Sequence, residues 1–135
     1  MQQLMVWSLV LVMLVGCTST TAVSETPEAI HVRWLAAVRA NDRAAALALV
    51  DADMAEREIF IDQTLQTMQD LMSTPSSPTG ALIVIETRTP TDAGQGKRAI
   101  SVWHFANKTW CYATDLTATG GGWRVAQWGQ IARCP

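Results

Sequence analysis

The chain has 135 residues, of which 49% are apolar and 16% are charged, and its formal net charge is −2. This length fits one domain of ordinary size. The charged fraction is too low and the apolar fraction too high for a disordered chain, and no basic excess exists that could bind nucleic-acid phosphates. The composition therefore predicts a compact domain or a protein at a membrane, without a nucleic-acid partner.

The most apolar segment lies at the N-terminus. Residues 4–15 read LMVWSLVLVMLV and are interrupted only by Ser8. A helix that spans a bilayer needs about 20 apolar residues, whereas the apolar region of a secretory signal needs roughly 7–15. The segment therefore predicts an export signal over residues 1–16 rather than a membrane-spanning anchor.

This segment ends in Leu14-Val15-Gly16-Cys17 and is followed by polar residues. The tetrapeptide resembles the lipobox of bacterial lipoproteins. The resemblance implies that Cys17 receives a diacylglyceryl group, that the preceding peptide is removed and that the new amino terminus is acylated. Each buried acyl methylene contributes about 0.8 kcal/mol to membrane binding, so several chains form a lasting anchor. The alternatives are an ordinary cleaved signal with a chance cysteine and a retained short apolar tail.

The same resemblance predicts the location of the protein. In lipoproteins an aspartate after the cysteine tends to retain the protein at the inner membrane, and here Thr18 follows Cys17. We therefore expect an exported protein that is lipid-anchored to the cell envelope. The expected membrane is the outer membrane where the cell has one, and otherwise the anchor lies in the outer face of the cytoplasmic membrane. Residues 17–25 are expected to form a flexible tether.

Three helices are predicted after the tether. Thr26 can cap the first helix, with Pro27 at its first position, and this helix is expected to end near Asn41. Asp42 can cap a second helix over residues 43–50, and Asp51 or Asp53 a third that extends from about residue 54 to residue 72. We interpret the methionines of the third helix as core filling rather than as an adaptable ligand surface.

The prolines of residues 73–80 end the helical pattern, and the rest of the chain predicts strands. Residues 89–96, TPTDAGQG, are expected to be a turn. Four strands separated by turn signals are predicted at 81–88, 97–105, 109–118 and 123–134. The prediction is an α+β domain over residues 26–135, in which three helices cover one face of an antiparallel meander.

Two further cysteines agree with export. If Cys17 carries lipid, Cys111 and Cys134 remain as an even pair, and in an oxidising compartment such a pair is most simply a disulfide. Two free buried thiols or a metal site are the alternatives, but His31 and His104 are not at metal-ligand spacing. We therefore predict a disulfide, no metal and no cofactor.

The pattern of elements also resembles a known superfamily. The resemblance rests on a tryptophan in the first helix, an Asn-Asp break before the second helix, and a final meander that contains Asp115-Leu116, Gly121-Gly122-Trp123-Arg124-Val125 and Trp128. These features are similar to the nuclear transport factor two-like, cystatin-like superfamily, and in particular to small bacterial lipoproteins of unknown function. The resemblance implies a curved sheet of about four strands that wraps around the helices and leaves a conical pocket. Because this fold carries both enzymes and binding modules, it does not decide the function.

Enzymes of this superfamily place Asp, His or Tyr inside the cone to move protons. The candidates in this chain are His104, Tyr112 and Asp115, with Glu86 and Arg88 on the first strand. Strand alternation puts Tyr112 and Asp115 on opposite faces unless a bulge intervenes, which makes them a poor acid–base pair. A lone histidine such as His104 is more often a structural or surface residue than a catalytic base, and Asp115, close to the hairpin, can bind turn amides.

Four tryptophans lie close together in the strand region: Trp103, Trp110, Trp123 and Trp128. Alternation predicts that the first two occupy opposite faces, as do the last two, so that both faces of the sheet receive indoles. Outward rings could bind a peptide, a glycan or a second copy of the chain. Cross-strand packing is the interpretation that we favour, and a homodimer or protein partner on the sheet face is the alternative.

These observations favour a lipid-anchored envelope protein whose domain binds or scaffolds rather than catalyses. The ligand would be a partner protein or a small apolar molecule in the cone. The alternative is a cyclase-type or isomerase-type enzyme that uses His104, Tyr112 or Asp115, and it requires at least two titratable side chains that converge on one pocket.

Overall fold

A computed structural model describes residues 23–73 and 79–135. The predicted signal, the lipobox with Cys17 and most of the tether lie outside the described residues. The described helices are α1 (Pro27–Arg39), α2 (Arg43–Leu49) and α3 (Arg57–Met72). The described strands are β1 (Leu82–Thr87), β2 (Thr91–Ala93), β3 (Gly96–Phe105), β4 (Thr109–Thr119) and β5 (Gly122–Ile131).

The first two helices begin where their capping residues predict. The Thr26 hydroxyl accepts a hydrogen bond from the amide of Ala29 at 3.2 Å, and the Asp42 carboxylate accepts one from the amide of Ala45 at 3.0 Å. Each side chain satisfies an amide that has no partner within its helix. The predicted starts of α1 and α2 are therefore confirmed.

The third helix starts later than predicted. It begins at Arg57 rather than near residue 54, and neither Asp51 nor Asp53 caps it. The chain before it is held by the sheet, because Val50 forms a parallel bridge with Val125 and the Asp51 amide donates to the Val125 carbonyl at 3.0 Å. This pairing keeps residues 50 and 51 out of the helix. Glu56, whose φ is 55°, then interrupts the helical backbone immediately before Arg57.

The sheet is antiparallel, with the order β1-β3-β4-β5, and β2 also pairs with β3. The segment 89–96 was predicted to be only a turn, and this was wrong: Thr91–Ala93 form a short strand. β3 is longer than β1, so its first residues are free to pair with β2 across a two-residue turn at Gly94, where φ is 61°. The three helices therefore pack on five strands.

The core lies between the helices and one face of this sheet. Its largest fully buried side chains include Trp34 and Met68 from the helices and Trp103 from β3. The rings of Trp34 and Phe60 stack with their centroids 5.9 Å apart and so join α1 to α3. The interpretation of the methionines as core is confirmed for Met68, whereas Met72 is exposed.

All four strand tryptophans contribute to this one core, so the prediction that indoles occupy both faces of the sheet is wrong. Trp103 lies directly opposite Trp110, and directly opposite residues of antiparallel strands share a face. A register shift after Asp115 adds one residue to β5, which turns both Trp123 and Trp128 towards the helices. Trp103 and Trp128 are buried, while Trp110 and Trp123 are partly buried at the rim of the core.

The predicted disulfide is confirmed. Cys111 of β4 is bonded to Cys134, and their Cα atoms are 5.3 Å apart. The bond fixes the last residues of the chain to the sheet after β5 has ended at Ile131. Because Cys111 is buried and Cys134 is exposed, the bond joins the C-terminus to the interior of the fold.

The buried His31 is expected to make stability depend on pH. Desolvation lowers the pKa of His31 from 6.5 to about 4, so the unfolded chain binds its proton more readily than the folded chain does. The folded state is therefore not penalised above pH 6.5, where His31 is neutral in both states. As pH falls from 6.5 towards 4, the unfolded chain gains the proton first, and we expect the free energy of unfolding to drop by roughly 3 kcal/mol. Denaturant unfolding at several pH values measures it, and the His31→Leu variant should lack this component. An NMR titration of His31 with a midpoint near 6.5 would contradict the prediction.

Candidate functional site

A cavity of about 270 Å³ opens between α3 and the last two strands. Helix α3 contributes one wall and the helix-facing side of the sheet contributes the other. The lining residues are Phe60, Gln63, Thr64, Thr67, Tyr112, Trp128, Gly129 and Gln130. Apart from Tyr112, none of these side chains is titratable, so the cavity is uncharged at neutral pH.

Two aromatic rings form the sheet side of the cavity. Tyr112 and Trp128 stack with their centroids 4.7 Å apart and their planes 6° from parallel. Behind them the ring of Trp103 contacts Tyr112 at 5.1 Å, and its Nε1 donates to the Ser101 hydroxyl at 2.8 Å. Because each ring is packed against another, this wall is preorganised for a flat apolar group.

The polar groups of the cavity come mainly from α3. The Thr67 hydroxyl donates to the Gln63 carbonyl at 2.9 Å, so its oxygen can still accept a hydrogen bond from a ligand. The side-chain amides of Gln63 and Gln130 can donate and accept. The site can therefore combine ring stacking with neutral hydrogen bonding.

Tyr112 is expected to stay protonated to unusually high pH. Burial raises the pKa of Tyr112 from 10 to about 12. Since the folded-state pKa is the higher one, stability is unaffected below pH 10 and is lost as pH rises from 10 through 12, by roughly 2–3 kcal/mol. It is the only tyrosine of the chain, so tyrosinate absorbance during a pH titration reports this ring alone. Tyr112→Phe should remove both the absorbance change and this part of the alkaline destabilisation, and an ordinary midpoint near 10 in the folded protein would count against it.

The other two predicted proton-handling residues do not lie in this cavity. Asp115 faces the opposite side of the sheet, where its two oxygens accept hydrogen bonds from Nε and Nη2 of Arg98 at 2.6 and 2.9 Å. These bonds raise the pKa of Arg98. The expectation that Tyr112 and Asp115 face opposite sides is therefore confirmed, and Asp115 binds a guanidinium rather than turn amides.

His104 also lies on the outer face of the sheet. Its Nδ1 is 3.3 Å from the Thr109 hydroxyl, and its Nε2 is 3.5 Å from a carboxylate oxygen of Glu86. His104 and Glu86 follow the same outward alternation along β3 and β1. The three candidates thus divide between the two faces of the sheet, and only Tyr112 lines the cavity.

Sequence reasoning identified Tyr112 and Trp128 but missed the contribution of α3. Gln63, Thr64 and Thr67 interrupt the apolar stripe of that helix with small or neutral polar side chains. Polar residues on the core-facing side of a helix could have indicated a cavity there. Nothing in the sequence alone indicated which strands would face it.

The described ranges 23–73 and 79–135 contain no group of three or more His, Cys, Asp or Glu residues that could hold a metal ion. In those same ranges, no helix has the length and apolar character needed to cross a bilayer.

Comparisons with known proteins identify the fold. No protein-family model matches the chain, and no curated protein does. A solved structure from Thiobacillus denitrificans ATCC 25259, named after the calcium/calmodulin-dependent protein kinase type II association domain, matches with a TM-score of 0.54 and 12% identity. The match covers 80% of this chain and 95% of that protein. The chain has the NTF2-like fold.

A second solved structure is an NTF2-like protein of unknown function from Cytophaga hutchinsonii ATCC 33406. It is 10% identical, has a TM-score of 0.49, and the match covers 82% of this chain and 92% of that protein. At such identities the similarity concerns the fold alone, and the NTF2-like fold carries binding modules as well as enzymes. The predicted α+β class, with helices on an antiparallel sheet, is confirmed.

Proposed function

We propose that the chain is an exported, lipid-anchored protein whose NTF2-like domain binds a small uncharged molecule and does not catalyse. The observation that carries this proposal is the chemistry of the cavity between α3 and the sheet. It offers stacked rings, amides and hydroxyls, and its single titratable group is a phenol that stays protonated at neutral pH.

The lining favours one class of ligand. A charged ligand in this cavity would lose water without gaining an opposite charge, which is unfavourable. A planar ring can pack against the indole of Trp128, which is itself stacked on Tyr112, while a carbonyl or hydroxyl group can bond to Gln63, Thr67 or Gln130. The volume of about 270 Å³ suits a compact ligand rather than a long acyl chain. We therefore propose a small neutral molecule with one ring and few polar groups.

The three candidate proton-handling residues lie on different faces of the sheet, which argues against the cyclase or isomerase alternative. Proton transfer next to a carbonyl needs a base and a second polar group within reach of one reacting atom. Asp115 is paired with Arg98 on the other face of the sheet, and His104 lies near Glu86 on that face. Tyr112 alone would have to perform both roles, with a pKa near 12.

Export and lipid anchoring are supported by the sequence before residue 23 and by the disulfide. A bond between Cys111 and Cys134 persists in oxidising compartments and is rare in reducing ones. The lipobox resemblance of Leu14-Val15-Gly16-Cys17 supplies the anchor. Replacing Cys17 with Ser should abolish incorporation of labelled palmitate and release the protein from membranes, and unchanged attachment would oppose the proposal.

Binding in the cavity can be tested by filling it. A panel of small uncharged ring compounds is screened by ligand-observed NMR against the wild type, Thr67→Trp and Gln66→Trp. Thr67 lines the cavity, whereas Gln66 is exposed next to it in α3 and does not. We expect compounds that bind to the wild type and to Gln66→Trp and that lose binding to Thr67→Trp.

The same panel distinguishes the two functions. Equal binding to Thr67→Trp, or no binding to the wild type, contradicts the proposed cavity. Conversion of a bound compound by the wild type but not by Tyr112→Phe would favour the enzyme.

A further inference from the structure

The strand β1 lies at one edge of the sheet and is unusually apolar for an exposed edge. It reads LIVIET, and Ile83 and Val84 are 69% and 46% exposed. On one side β1 pairs with β3, and no other described strand pairs with it. Proteins commonly protect such edges with Lys, Pro or very short strands, because an open edge pairs with other chains.

The backbone of this edge can still form hydrogen bonds. The Arg88 amide donates to the Ile100 carbonyl of β3 at 2.9 Å. Since backbone groups alternate between the two sides of a strand, those of Ile85 and Thr87 point away from β3. The register shift at the start of β1 lies between Leu82 and Val84, so the strand after Val84 is regular.

An apolar groove of about 190 Å³ continues from this edge onto helix α1. Its walls are Val32, Leu35, Ala36 and Arg39 from the helix and Ile85 and Thr87 from the strand. Val32 is 53% exposed. The edge and the groove thus form one continuous surface, which we term the β1–α1 surface, with both open hydrogen-bonding groups and apolar side chains.

We propose that the β1–α1 surface binds a second copy of this chain, with the two β1 strands antiparallel about a twofold axis. Antiparallel pairing centred on Ile85 places Ile85 opposite its own copy and Val84 opposite Glu86, within the regular part of β1. No like charges face each other in this register. The β-branched Ile85 side chains meet on the helix-facing side of the sheet, and Val84 meets Glu86 on the outer face, an arrangement that a sheet tolerates well. The result is a continuous sheet that joins the two domains.

The charges of α1 favour the same twofold arrangement. Glu28 in its first turn and Arg39 in its last turn are eleven positions apart, or about three helical turns, and both are exposed. Val32 and Leu35 lie between them on that stripe. When two copies of α1 lie antiparallel across the axis, Glu28 of each approaches Arg39 of the partner subunit. A twofold interface requires a self-complementary surface, and this stripe of α1 has that property.

This arrangement differs from the predicted homodimer through the sheet face. The outer face carries the Arg98–Asp115 pair, and His104 lies near Glu86 there, so the exposed part of that face is largely polar. The β1–α1 surface is more apolar and has unpaired backbone groups. It does not overlap the cavity between α3 and β5, so the two proposals stand independently.

The test measures the mass of the full-length mature protein in mild detergent by sedimentation velocity. We expect a dimer for the wild type and at least a tenfold increase in the dimer dissociation constant for Ile83→Lys, because a lysine on an edge strand opposes pairing. The control is Ile59→Lys, which alters a 51% exposed residue of α3 away from the edge and should stay dimeric. Circular dichroism checks that both variants are folded.

A charge exchange tests the twofold geometry itself. Glu28→Arg and Arg39→Glu should each weaken the dimer, and the double variant should restore it. A monomeric wild type, a dimeric Ile83→Lys or a failure of restoration overturns the proposal. Dissociation caused by Gln127→Lys, which alters the outer sheet face opposite Asp115, while Ile83→Lys stays dimeric would place the interface on that face instead.

Discussion

Replacing Trp103 with alanine is expected to lower the free energy of unfolding by about 3–5 kcal/mol. The indole is fully buried, contacts the rings of Phe105 and Tyr112, and donates a hydrogen bond to Ser101. Its removal loses apolar burial and leaves a cavity that the surrounding sheet cannot close. Urea denaturation followed by far-ultraviolet circular dichroism measures the loss.

The matched control is Trp110→Ala. Trp110 lies directly opposite Trp103 on the neighbouring strand, but it is only partly buried. Its replacement is expected to cost clearly less, because part of its area is already in water. Equal losses for the two variants would show that the rim of the core is as tightly packed as its centre, contrary to the structure.

Breaking the disulfide should have the second largest effect. The bond between Cys111 and Cys134 closes a loop with a sequence separation of 23, for which restriction of the unfolded chain predicts about 3 kcal/mol of stabilisation. Cys134→Ser changes an exposed residue and should lose this amount in denaturant unfolding. Reductant should destabilise the wild type equally and should leave the variant unchanged. If reductant has no effect on wild-type stability, the bond does not contribute to it.

The local features of the fold could be predicted from the sequence because they depend on neighbouring residues. Thr26 and Asp42 mark helix starts by side-chain capping, and the prolines after Met72 end the helical pattern. The later start of α3 could not be predicted in this way. It depends on the left-handed backbone of Glu56 and on the bridge that holds the preceding chain, between Val50 and Val125, two residues that are far apart in the chain.

The faces of the strands were predictable only within each strand. Tyr112 and Asp115 were correctly assigned to opposite sides because they lie on one strand with no bulge between them. The tryptophans were assigned to the wrong faces, because whether two residues of different strands share a face depends on the register between those strands. A single additional residue in β5 reverses the side on which Trp123 lies relative to Trp128. Such a register shift depends on packing over the whole sheet.

The cavity was predictable in part for a similar reason. Its aromatic residues were identified as unusual in the sequence, but whether they line a cavity depends on α3, whose residues are about 50 positions away from Tyr112. The apolar periodicity of α3 indicates which side faces the sheet. It does not indicate that Thr64 and Thr67 leave a space there.

The point at which the chain enters the domain limits how far the domain could act from a membrane. Val23 and Ser24 lie beside the turn between β4 and β5, and Glu25 forms an ion pair with Arg33 of α1. Val23 lies six positions after Cys17, and a fully extended chain of six residues spans at most about 20 Å. If Cys17 carries the proposed lipid, the domain would work within a shallow layer at the bilayer surface. Its ligands and partners would then have to come to the membrane rather than be reached across the envelope.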